Sequence, residues 1–188
     1  MDLILIRHLP TKWNKLGFLQ GSQDIPLLPV LDDDLIMIKE NLKVIHKFNP
    51  DIVLASQLLR TQQTASEYGY PNPIIEPLLN ELNFGKYEGN EKILLTSVKE
   101  WTSKPRSLLL GESLIDFENR IIHFINKYID YSRLLVFGHG AWIRGLLSID
   151  KVGTIQKMNQ ISVENNQLVF LSINKRLQQP VEETHTDA

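Results

Sequence analysis

Four short runs rich in Ile, Leu and Val, at residues 3–6, 51–55, 134–137 and 168–173, constrain the fold of this chain more than any other feature. Continuous apolar runs of this length read as strands buried on both faces. The segments between them carry a helical period instead. Residues 31–48 space Leu31, Leu35, Ile38, Leu42 and Ile45 along one helical face, begin with Asp32, Asp33 and Asp34, and stop before Pro50. The stretch after Gly111-Glu112-Ser113 repeats the pattern with Leu114, Phe117, Ile121, Phe124, Ile125 and Tyr128. This alternation predicts an α/β fold of three layers, α/β/α, with a mostly parallel central sheet and crossover connections. The run at 168–173 is expected at an edge, antiparallel to the rest. A length of 188 residues suits one domain, read here over 1–175. The polar segment 176–188, which contains Pro180 and His185, reads as a flexible tail.

In open parallel sheets ligands collect beyond the carboxyl ends of the strands. The first run delivers Arg7-His8, the second Ser56 and then Arg60, and the third Gly138-His139-Gly140. Two guanidiniums suit a tetrahedral dianion, since each offers a planar fork of donors and keeps its charge when partly desolvated. A neutral imidazole can attack phosphorus, and a second can donate to phosphoryl oxygens. The leaving oxygen still needs an acid, for which Glu81 is the candidate, because a carboxyl pressed against bound phosphate is driven toward protonation.

With 20 Lys+Arg against 22 Asp+Glu the formal charge is -2, so no global field recruits nucleic acid or an anionic membrane, and any anion site is local. The absence of cysteine excludes disulfides, thiolate metal sites and cysteine nucleophiles. No carboxylates cluster at metal-ligand spacing, and no phosphate loop of the Gly-x-x-x-x-Gly-Lys type occurs. The first apolar run is too short to span a membrane and lacks the flank of a signal peptide, which leads to the expectation of a cytoplasmic protein. The expected partner is a small phosphorylated metabolite, with no nucleic acid, membrane, metal or cofactor.

The motif Arg7-His8-Leu9-Pro10-Thr11-Lys12-Trp13-Asn14 resembles the Arg-His-Gly signature of the histidine phosphatase superfamily, which includes phosphoglycerate mutase-like proteins. Further segments resemble the family's blocks in order: Gln20-Gly21 through Leu27, Ser56 through Ala65, Glu81 through Gly89, Gly111-Glu112-Ser113 with Arg120, and Gly138-His139-Gly140 through Arg144. The resemblance implies that His8 is the phosphorylated nucleophile, that Arg7, Arg60 and His139 form the phosphate pocket, and that Glu81 is the proton donor. It also implies that Thr11, Asn14, Gln20, Gly21 and Gly140 touch phosphate or substrate, with no metal. Lys104 and Arg106 are candidates for a second anionic group on the substrate. These implications give a phosphomonoesterase. A phosphomutase is the nearest alternative, although mutases of the family carry an extra capping segment where residues 90–110 are short here. Leu9-Pro10 replaces the family's Gly-Glu and motivates a third reading, a catalytically weak phospholigand-binding or scaffold protein.

Overall fold

The computed structural model of the chain describes residues 1–178. Five strands, β1 (Asp2–Arg7), β2 (Ile52–Ala55), β3 (Ile74–Ile75), β4 (Arg133–Gly138) and β5 (Leu168–Ser172), form one sheet in the order β3-β2-β4-β1-β5. Neighbouring strands are parallel, except that β5 runs antiparallel against β1. The edge expected at 168–173 is therefore present. The two-residue β3 has no counterpart in the sequence reading, because two exposed isoleucines are too short to show a period.

The helices are α1 (Lys12–Leu16), α2 (Asp32–Phe48), α3 (Leu59–Glu67), α4 (Ile93–Thr96), α5 (Lys99–Ser103), α6 (Leu114–Tyr128) and α7 (Gly140–Val152). Successive residues of a strand face opposite ways, and β1 uses this to build two cores. Leu3 and Leu5 join Phe117 and Ile121 of α6 and Trp142 and Leu146 of α7. Ile4 and Ile6 join Ile38 and Ile45 of α2 and Ala65 of α3. Helices thus cover both faces of the sheet, which is the three-layer arrangement.

All six apolar residues expected on the inner face of α6 are buried. On α2 only Ile38 and Ile45 are buried, whereas Leu31 is 54% and Leu35 40% exposed. The reason is length: 17 residues of helix rise about 26 Å while a six-residue strand spans about 20 Å. The first turn of α2 consequently overruns the sheet. Beyond β5, Arg176 Nη1 donates to the Asn126 carbonyl at 2.9 Å and the Leu177 amide to Asn126 Oδ1 at 2.8 Å, tying the chain to α6. Pro180 and His185 lie outside the described residues.

Candidate active site

Strand register brings the site together. Arg7 pairs with Gly138 and Ala55 with Phe137, so the segments leaving β1, β2 and β4 emerge side by side. The His8 amide donates to the Gly138 carbonyl at 3.0 Å, and the His8 and His139 rings meet edge to face with centroids 5.5 Å apart. A cavity of about 250 Å³ opens over this junction. It is lined by Arg7, His8, Asn14, Gln20, Gly21, Arg60, Glu81 and Gly140 among the residues singled out from sequence.

The other two, Thr11 and His139, do not line it. Thr11 is wholly buried and caps α1: its Oγ1 accepts from the Asn14 amide at 3.2 Å while Asn14 Oδ1 accepts from the Thr11 amide at 3.0 Å. Its hydroxyl also donates to Gln20 Oε1 at 2.9 Å, so it acts by placing Asn14 and Gln20, which do reach the cavity. His139 is fully buried behind His8, with Nε2 2.7 Å from Ser56 Oγ.

His8 Nδ1 lies 2.7 Å from the Leu9 carbonyl. A carbonyl only accepts, so Nδ1 carries the proton and the neutral ring has its lone pair on Nε2. Burial first, then the positive charges of Arg60 and Arg7, hold His8 well below the ordinary histidine range, so the ring is neutral near pH 7. Leu9 does not crowd the cavity. Its side chain is 1% exposed and packs with Ile4, Ile6 and Ile38, and its amide donates to Thr64 Oγ1 at 3.0 Å.

The cations are fixed by main-chain carbonyls. Arg60 Nη1 donates to Gln23 at 2.7 Å and Nη2 to Gly21 at 2.8 Å, while Arg7 Nη1 donates to Val163 at 2.6 Å. Asp24 Oδ1 accepts from the Leu59 amide at 2.7 Å and so caps α3, whose own N-cap residue Leu58 has no side chain able to do so. Gly140 leaves room for Arg7, since a Cβ there would stand 3.2 Å from Arg7 Nε. Among the described residues, the buried side-chain nitrogens without a hydrogen-bond partner are Arg7 Nε, Arg60 Nε, Arg144 Nε and His139 Nδ1, all in the cavity wall or directly behind it.

Glu81 is held at the helix N-terminus that follows His139. Its Oε1 accepts from the Trp142 and Leu82 amides, each at 3.0 Å, and its Oε2 from the Ala141 amide at 3.0 Å. Glu88 is a loop tie. Its carboxylate accepts from the Ser22 and Phe84 amides, the Ser22 hydroxyl and Gln23 Nε2, and it does not line the cavity. Lys104 and Arg106 do not reach the cavity either. Arg106 Nε pairs at 2.9 Å with the buried Glu118, which also accepts from the Ile155 amide. The extra cations that line it are Lys92 and Arg144. Sequence reasoning also passed over Val163, Glu164 and Asn165, whose segment reaches the site only because β5 returns beside β1. Asn165 Nδ2 donates to the His8 carbonyl at 2.8 Å. Asn165-Asn166 is a dipeptide that favours turns, and Asn166 adopts φ 62°, but nothing in it announces a site. No group of three or more His, Cys, Asp or Glu that could hold a metal occurs among the described residues, nor any helix long and apolar enough to cross a membrane.

The family described as histidine phosphatase superfamily (branch 1) matches residues 3–184. A phosphoglycerate mutase of Schizosaccharomyces pombe is 30% identical over 165 residues, covering 77% of each chain. A phosphoserine phosphatase from Entamoeba histolytica, solved with 3-phosphoglyceric acid, superimposes with a TM-score of 0.72 at 26% identity, covering 90% of this chain and 89% of that one. A mycobacterial glucosyl-3-phosphoglycerate phosphatase complexed with VO3 shares the fold with a TM-score of 0.75 at 18% identity, over 91% and 92% of the two chains.

Proposed function

Because the chain belongs to the histidine phosphatase superfamily, we propose that it is a metal-independent phosphomonoesterase that acts on a small phosphorylated metabolite through a phosphohistidine on His8. The observation that carries this reading is the convergence of Arg7, Arg60 and Arg144 on one cavity with a neutral His8 whose Nε2 carries no proton. A phosphoryl dianion would supply the charge that offsets the burial of these cations. In the first step the His8 Nε2 lone pair attacks phosphorus, the ester P–O bond breaks, and the leaving alcohol takes a proton from Glu81. In the second, water attacks the phosphorus of the phosphohistidine, the P–N bond breaks and returns its electron pair to His8 Nε2, Glu81 takes the water's proton back, and inorganic phosphate leaves.

Leu9 supports rather than weakens this reading, since its carbonyl orients His8 and its side chain turns away from the cavity. Lys92 and Arg144 replace Lys104 and Arg106 as the residues available to a second anionic group on the leaving alcohol. The likeness to a phosphoglycerate mutase favours a second reading, in which the phosphoryl group passes to another hydroxyl of the substrate. Phosphate release from a panel of small phosphate esters, run beside His8→Ala, tests the proposal. Steady release that disappears in the variant is expected; isomerised esters without free phosphate would favour the mutase, and no turnover of any ester would favour a binding protein.

A further inference from the structure

The site's second histidine has a defined hydrogen-bond partner on one side only. His139 Nε2 lies 2.7 Å from Ser56 Oγ, whereas Nδ1 is buried and unpartnered. The proton on that contact can be traced through the hydroxyls. Thr61 Oγ1 lies 2.9 Å from the Leu58 carbonyl and 3.3 Å from the Ser56 carbonyl, two pure acceptors that together favour placing the Thr61 proton on a carbonyl and not on the Ser56 hydroxyl. With the Thr61 proton on a carbonyl, Ser56 Oγ, 2.9 Å from Thr61 Oγ1, donates to it while accepting from the Leu58 amide at 3.1 Å. Having spent its only proton, Ser56 can meet His139 solely as an acceptor. Nε2 is therefore the protonated nitrogen, and Nδ1 of the neutral ring is bare.

We propose that the Ser56–Thr61 hydroxyl pair holds His139 in its Nε2–H tautomer, so that Nδ1 takes up one proton from solvent when a dianion enters the cavity. This rests on the reading of the cavity as a phosphate site. His139 lies behind the cavity wall, its ring centroid 5.5 Å from that of His8, so a dianion held in the cavity acts on it through charge, attracting an imidazolium where it does not attract a neutral ring. The groups bearing on His139 are Arg60 from α3, His8 and Arg7 from the end of β1, and Arg120 from α6. Burial first, then Arg60, keeps the ring neutral in the free protein, and a dianion among these cations offsets the repulsion they exert on a charged ring. Ser56 and Thr61 are thus positioning residues, acting through His139.

Nitrogen-detected NMR of the 15N-histidine-labelled protein near pH 7.5 tests this, with sulfate as a dianion that does not itself titrate. In the free protein His139 should show a protonated Nε2 and a bare Nδ1, and saturation with sulfate should abolish the bare-nitrogen signal. Thr61→Val removes the acceptor for the Ser56 proton at nearly constant volume, freeing Ser56 to donate to Nε2. That variant should show the Nδ1–H tautomer before sulfate is added, whereas Thr61→Ser keeps the native pattern. A free protein already in the Nδ1–H tautomer, a sulfate complex with Nδ1 still bare, or a proton gained by His8 instead would overturn the proposal. Failure of sulfate to shift any histidine signal of the site would overturn the phosphate-site reading, and this inference with it.

Discussion

Glu81 shows how one side chain serves two ends, for the carboxyl proposed to protonate the leaving group also accepts the first amides of α7. Glu81→Gln keeps the size, removes the acid, and turns an amide NH₂ toward at least one of those N–H groups. The two consequences are separable by leaving group. An alkyl alkoxide needs a proton as its bond to phosphorus breaks, whereas nitrophenolate leaves unaided, so the variant should slow alkyl phosphates by about 10²–10⁴. Nitrophenyl phosphate should lose no more than about tenfold, the cost of one disturbed hydrogen bond. Equal losses on both esters, measured as kcat, would assign Glu81 to structure alone. At this scale Arg7, His8 and Arg60 were legible because each directly follows or lies near the end of an apolar run. The recess of His139 behind His8 was not, since it depends on the Ser56 hydroxyl brought alongside by strand pairing.

Helix α7 presents its N-terminus to the cavity, and its first residue, Gly140, is where helix and Arg7 compete for space. A methyl there would approach Arg7 Nε to 3.2 Å, so the guanidinium must move by a few tenths of an ångström. Alanine also suits a helix better than glycine, by up to about 1 kcal/mol. Gly140→Ala should therefore leave the thermal midpoint unchanged or raised while lowering kcat/KM about tenfold, since small misplacements of an anion-orienting group are costly. Unchanged kcat/KM at unchanged stability would show that Arg7 does not orient the phosphoryl group. The strands and the buried faces of α6 were plain in the sequence because burial on both sides of a sheet leaves long apolar stretches. Loop roles were hidden: Asp24 capping α3 and Glu88 tying residues 22–23 to Phe84 join segments far apart in the chain, with no local pattern to announce them.

Across the whole molecule, the two buried histidines link stability to pH. In the unfolded chain both take protons near pH 6.5, whereas in the folded chain burial keeps both neutral to well below that value. Below about pH 6.5 the unfolded state binds more protons, so stability falls as pH falls, by up to about 1.4 kcal/mol per pH unit for each histidine. Thermal midpoints should decline between about pH 6.5 and 5.5, ahead of carboxylate titration, and the His8→Gln, His139→Gln double variant should lose that slope. A flat profile in the native protein would show that these rings can charge in place. One strand adjacency was also legible, that of the apolar run ending in Arg7-His8 beside the run ending in Gly138-His139, whereas the places of β2 and β3 were not. The proposed chemistry turns on covalent phosphorylation of His8 Nε2. Mixing the enzyme with a turning-over phosphate ester, quenching in alkali and mapping the peptides by mass should reveal a base-stable, acid-labile phosphate on His8; phosphate on a serine, or none on an actively turning-over enzyme, would contradict it.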